Sequence, residues 1–307
     1  MNTMSEQLEG VFNILATPFD KEYGVDIQSL KTLVEFQIDK GAGGLTILGV
    51  MGEAAKLTVE ERSLVMETIL SVTKNRLPVV VGTSHQDIQT CISLSKASFE
   101  AGANGVMIAL PKMDEPTDDN IVAFYKTIAA RIDGPIVVQD YPPVNDIYMS
   151  PDVLARIAEE IPNARYLKLE DPPLMQKITA IRGRTDKFSI FGGLGGMFFL
   201  EELQRGAAGT MTGFAFTEVL VAVYTAFRRG DQTAAELIFD RYLPLIRFEN
   251  QPVINLTIRK ELLFRRGAIA CSTPRKPFAL IDAGTSNEIE RVLLRTGIED
   301  PTAKITF

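Results

Sequence analysis

The sequence predicts an α/β fold, a closed (β/α)8 barrel carrying a C-terminal helical extension, and three observations predict it. Eight short apolar runs rich in β-formers alternate with eight longer amphipathic stretches over about 230 residues, the count and size of a barrel built from repeated βα units. Glycine-alanine punctuation recurs before apolar runs, at Gly41-Ala-Gly-Gly44, Gly102-Ala-Asn-Gly105 and Gly206-Ala-Ala-Gly209, where glycines suit helix C-caps and tight αβ turns. The rival is an open doubly wound sheet. It loses support because no Gly-x-Gly-x-x-Gly follows the first strand.

Taken in order, the strands are expected at residues 11–16, 44–48, 78–81, 105–108, 135–139, 165–168, 188–191 and 208–211. The helices between and after them are expected at 27–40, 59–73, 88–101, 120–130, 151–160, 174–182, 196–204 and 217–229. Thr58-Val-Glu-Glu61 has the form of a capping box that starts the second helix. Residues 232–266 and 286–296 read as further helices, with Ala235, Ile238, Tyr242, Leu245 and Ile246 at helical spacing. The organisation is therefore a barrel over 1–230 and a helical extension over 231–307 packed on it, together one structural unit.

Composition narrows the function classes. A net charge of −7 disfavours nucleic acid and anionic membrane as partners and favours small metabolites. No long uncharged apolar run occurs, and the first ten residues lack the basic and apolar regions of a signal peptide, so a cytoplasmic location is expected. Cys91 and Cys271 have no metal-ligand spacing and read as ordinary buried thiols. The one histidine, His85, argues against a multi-histidine metal site and against a histidine triad. The basic cluster Arg259, Lys260, Arg265, Arg266, Arg275 and Lys276 reads as a solvated or interface surface rather than an anion site.

Chemistry concentrates at the predicted strand ends, where a barrel builds its active site. Lys168 ends strand six in Arg165-Tyr-Leu-Lys-Leu-Glu-Asp171. An amine there is partly desolvated, which favours the neutral form able to attack a carbonyl carbon; the plain alternative is an ion pair with Glu170 or Asp171. Strand five delivers Tyr141 to the same rim, where a phenol can relay protons beside an amine. The turn after strand two, Gly49-Val-Met-Gly-Glu53, presents backbone N–H groups that can cradle a carboxylate. Gly192-Gly-Leu-Gly-Gly196 offers a second loop of close approach.

Together these residues resemble the dihydrodipicolinate synthase / N-acetylneuraminate lyase superfamily of pyruvate-dependent class I aldolases and related dehydratases. The resemblance spans nearly the whole chain, through Ala16-Thr-Pro-Phe-Asp20, Gly49-x-x-Gly-Glu53, the Tyr141-Pro loop, Lys168 and the C-terminal helices. It implies that Lys168 forms an imine with pyruvate or another 2-oxo acid and that Tyr141 relays protons. It also implies that Gly49, Val50, Met51 and Gly52 hold the substrate carboxylate, with Gly192 and Met211 near the imine. No metal or organic cofactor is implied. An aldehyde is the second partner, and a homo-oligomer, dimer or tetramer, is expected.

Departures from the family pattern direct the choice of reaction. Val50 and Met51 stand where hydroxyl residues are usual, Ala109-Leu-Pro-Lys112 lacks a tyrosine pair, and Asp146 stands where the synthase has a substrate-binding arginine. A carboxylate at 146 repels an acidic substrate. The expected activity is a Schiff-base class I lyase performing aldol cleavage, condensation or dehydration. The alternatives are 4-hydroxy-tetrahydrodipicolinate synthase and a non-catalytic 2-oxo-acid-binding relative, while a phosphate-handling barrel would use Gly192–Gly196 and Thr210–Gly213. Asp140, Asp146 and Glu53 are candidate substitute bases. Val50, Met51, Leu110 and Phe216, if they line the cleft, favour a second substrate less polar than a sugar acid.

Overall fold

A computed structural model describes residues 7–307 of the chain. Eight parallel strands close in sequence order: β1 Gly10–Ile14, β2 Gly44–Ile47, β3 Val79–Gly82, β4 Gly105–Ala109, β5 Ile136–Asp140, β6 Tyr166–Leu169, β7 Ser189–Gly192 and β8 Gly209–Thr212. β1 pairs with both β2 and β8, so the expected barrel is present and its sheet has no edge. Closure depends on Gly209, where an added Cβ would stand 1.9 Å from the carbonyl oxygen of Gly10.

The crossover helices follow the amphipathic stretches. They are α1 Ile27–Asp39, α2 Val59–Thr73, α3 Ile88–Glu100, α4 Asp118–Ala129, α5 Pro151–Glu160, α6 Leu174–Arg182, α7 Phe199–Gln204 and α8 Thr217–Arg228. The Thr58/Glu61 capping box forms at the start of α2. Gly41, Gly102 and Gly206 each take positive φ (76°, 100° and 87°) just past a helix, as the punctuation requires. α7 begins three residues later than expected. Gly195 and Gly196 have φ of 70° and 78° and belong to the turn before it.

Alternation along the strands creates two apolar regions. Phe12, Val80, Met107, Val137, Tyr166, Phe191 and Met211 point inward and fill the barrel; their neighbours point outward under the helices.

The extension differs from expectation in one place. Residues 232–266 form two helices, α9 Gln232–Glu249 and α10 Asn255–Arg265, followed later by α11 Ala283–Arg295. Pro252 cannot continue the helical hydrogen bonding, and Val253 takes φ 74°. The resulting turn hangs over the open end of the barrel. Cys271 also departs from expectation: Cys91 is buried, but Cys271 is only half-buried.

Candidate active site

The two-residue period of β5 and β6 places the chemistry. Lys168 is in register with Gln139 and Phe191, and it points into the barrel with only 3% of its surface exposed. Two positions beyond Gln139 the chain presents Tyr141 on the same side. Lys168, Tyr141 and Gln139 all line one cavity of about 420 Å3 at the C-terminal end of the strands, with Gly49, Val50, Met51, Met211, Thr212 and residues of the extension.

Lys168 Nζ lies 2.9 Å from Glu170 Oε2, and Gln139 Nε2 donates to the same oxygen at 3.0 Å. The sequence suggests Glu170 only as an ion-pair partner. Here its carboxylate lines the cavity beside the amine. Gly193 makes room for it, since a Cβ there would stand 2.6 Å from Glu170 Cγ. Tyr141 holds its proton above the ordinary phenol value, because burial disfavours the phenolate and the charge of Glu170 adds to that effect.

The turn after β2 starts at Gly49 and forms one 3-10 turn over Val50–Gly52. The N–H groups of Gly52, Glu53 and Ala54 bond back to Gly49 and Val50 carbonyls, which leaves those of Val50 and Met51 at the cavity end of the turn. Gly52 itself is buried behind the turn, where its carbonyl accepts from the Thr17 hydroxyl at 2.7 Å. Gly192 likewise stands behind the lining. A Cβ on it would meet Glu202 Oε2 at 1.7 Å, so its role in the fold is to admit that carboxyl between β7 and α7. Glu202 is buried with Oε2 unpartnered, and burial, then the charges of Glu170 and Glu201, push its pKa up to about 8.

The three substitute bases do not face the cavity. Asp140, one residue past Gln139, points outward and pairs with Lys177 of α6 at 2.5 Å. Burial raises its pKa to about 6 against the pull of Lys177. Glu53 is held by Lys56 at 2.9 Å and Lys260 at 2.6 Å. Asp146 is exposed on the loop after β5. Leu110 lines a neighbouring cavity with His85 and Lys112, and Phe216 is buried with the Arg266 guanidinium 4.1 Å from its ring centre. The cleft is consequently more polar than expected, with Gln139, Thr212, Asn250, Asn255 and Arg259 in its wall.

Half of the basic cluster is not a solvated surface, although Lys276 is exposed and Arg265 and Arg275 are half-buried. Arg259, Lys260 and Arg266 are buried and pair with Glu249, Glu53 and Glu218, because α10 faces the barrel rather than solvent. Among the described residues no group of three or more His, Cys, Asp or Glu is placed to hold a metal ion, and no helix is long and apolar enough to cross a membrane.

A closed barrel with a buried lysine, a phenol and a carboxylate at the strand ends defines a class I lyase of the Schiff-base type, acting on 2-oxo acids. The chain belongs to the dihydrodipicolinate synthetase family, whose model matches residues 7–295. It is 33% identical over 298 residues to the L-2-keto-3-deoxyarabonate dehydratase of Azospirillum brasilense, covering 93% of this chain and 94% of the relative. It is 30% identical over 240 residues to a 4-hydroxy-tetrahydrodipicolinate synthase of Syntrophus aciditrophicus, covering 78% and 81%. A crystal structure of a dihydrodipicolinate synthase from Rhodopseudomonas palustris superposes with a TM-score of 0.88 at 36% identity, over 94% of this chain and 97% of that one.

Proposed function

We propose that the protein dehydrates a 3-deoxy-2-oxo sugar acid through an imine on Lys168. The observation that carries the reading is Glu170, a carboxylate in the cavity wall 2.9 Å from the lysine amine. Dehydration needs a group that takes a proton from C3 and returns one to the departing hydroxyl on C4, and in this reading Glu170 makes both transfers. Val50, Met51 and Asp146, which stand where the synthase pattern has its hydroxyl and arginine groups, weigh against condensation. The dehydratase named among the relatives supports the same choice.

The steps follow from the residues. The Lys168 amine attacks C2, forms the C–N bond and, with Tyr141 relaying protons, loses the carbonyl oxygen as water. The Val50 and Met51 N–H groups hold the neighbouring carboxylate. Glu170 takes the C3 proton, and the C–H electron pair moves toward the protonated imine to give an enamine. That pair then forms the C3–C4 double bond as the C4 hydroxyl leaves, protonated by Glu170. Water hydrolyses the imine, releases the unsaturated 2-oxo acid and restores Lys168. The reading includes a homo-oligomer working in the cytoplasm.

The test is borohydride reduction in the presence of pyruvate, followed by peptide mass spectrometry, on the wild type and Lys168→Ala. A reduced pyruvyl adduct on Lys168 and none in the variant is expected. Turnover of a 3-deoxy-2-oxo pentonic acid to a dehydrated product should follow. An adduct at another lysine overturns the site. Condensation of pyruvate with an aldehyde, without dehydration, returns the reaction to the synthase type.

A further inference from the structure

Arg259 of α10 reaches the cavity from outside the barrel. Its surface is 3% exposed, yet it lines the same cavity as Lys168. Among the described residues only its Nε makes a hydrogen bond, to Glu249 Oε1 at 2.6 Å. Glu249 is itself fixed, because its other oxygen accepts from the Ala215 N–H at 2.9 Å. Nη1 is buried with no partner, and Nη2 makes no hydrogen bond among the described residues. A buried guanidinium with an unfilled donor edge carries a desolvation penalty that an incoming oxygen would relieve.

The backbone is shaped around this group. A Cβ on Gly213 would stand 2.2 Å from Nη1 and 2.7 Å from the guanidinium carbon, so glycine lets the fork lie against the end of β8. Thr212 and Asn255 line the wall beside it, and Asn255 spends only its oxygen on the backbone, on the Leu256 N–H at 2.8 Å.

We infer that Arg259, with Asn255 and Thr212, forms the subsite for a hydroxyl at the far end of the 2-oxo acid, so that the C-terminal extension selects hydroxylated substrates. The inference rests on the dehydratase reading and deepens it. Charge decides between a hydroxyl and a second carboxylate. Glu249 already neutralises Arg259, and Lys168 and Glu170 offset each other in the same cavity, so a second carboxylate finds no uncompensated positive charge to offset its desolvation, while a neutral hydroxyl accepts from the free N–H groups without that cost.

The experiment measures calorimetric binding of pyruvate, a 3-deoxy-2-oxo pentonic acid and 2-oxoglutarate to the protein with wild-type Arg259 and with Arg259→Lys, both carrying Glu170→Gln so that the hydroxylated acid is not converted. The lysine keeps the cation but loses the fork. The affinity ratio of the hydroxylated acid to pyruvate should fall at least tenfold with Arg259→Lys, and 2-oxoglutarate should bind the protein with wild-type Arg259 more weakly than the hydroxylated acid. An unchanged ratio, or preferential binding of 2-oxoglutarate, overturns the assignment. If Arg259→Lys fails to fold, Gly213→Ala makes the same test by displacing the fork. A protein that binds the hydroxylated acid through Arg259 but gives no Lys168 adduct with pyruvate rejects the imine reading and leaves the subsite standing; the reverse pattern rejects the subsite alone.

Discussion

Glu170 converts an ordinary buried amine into a site with two functional groups. A lysine in the barrel interior needs a partner for its charge, and a carboxylate at 2.9 Å meets that need; in the proposed reaction the same carboxylate also serves the carbon next to the imine. The two roles separate by substitution. Glu170→Gln retains a hydrogen-bonding side chain of the same shape but removes the proton acceptor, so kcat for dehydration is expected to fall about 10^2- to 10^4-fold. The Lys168 adduct with pyruvate should still form, because imine formation does not call on Glu170. Loss of the adduct together with turnover would instead make the carboxylate a structural counter-ion. Lys168 and Tyr141 were legible in the sequence because a strand end followed by proline marks an inward rim position. Glu170 was visible only as an ion-pair partner, since Leu169 ends β6 and the two-residue alternation that orients Lys168 says nothing reliable beyond it.

At the scale of elements, α7 packs a carboxylic acid against β7. Glu202 fills the space left by Gly192, and its burial, reinforced by Glu170 and Glu201, raises its pKa from 4.5 to about 8. The folded chain therefore keeps a proton that the unfolded chain gives up above pH 4.5. Stability contributed by this group is full below 4.5, declines as pH rises through the window to about 8, and is flat beyond. Glu202→Gln resembles the protonated acid at every pH. Denaturant titrations should show the variant and wild type alike near pH 4.5 and the variant more stable at pH 8, by no more than about 1.4 kcal/mol for each pH unit of the window. Equal stability at both ends would mean that Glu202 is ionised in the native state. The glycine run at 192–196 gave a loop of close approach in the sequence, but not the group approached. α7 supplies that group through space, and no local spacing encodes the meeting.

For the molecule as a whole, the boundary near residue 230 is one of sequence pattern rather than of packing. Eight βα units were readable because each is a local period, whereas the orientation of α10 was not, since its apolar and basic positions are intermixed and its buried Arg259 and Lys260 look like surface residues in isolation. Phe239, Tyr242 and Ile246 of α9, Ile258 and Leu262 of α10 and Ile289 and Val292 of α11 share a single core with β1, β2, β3, α1 and α2. Across the same junction Lys260 pairs with Glu53 at 2.6 Å, and Arg275 pairs with Glu61 at 2.6 Å. A chain ending at residue 230 would expose that apolar face and take away Lys260, the most buried partner of Glu53, leaving Lys56 as its counter-ion. Against the roughly 5–15 kcal/mol that holds a typical domain, the exposed core costs enough to forbid an independent barrel. Thermal unfolding of the full chain should be one transition. The fragment 1–230 should show no cooperative transition and no near-ultraviolet signature of fixed aromatic packing. A fragment that melts cooperatively with native aromatic signals would make the extension a separate unit, and Arg259 a group delivered to the cavity by docking rather than by folding.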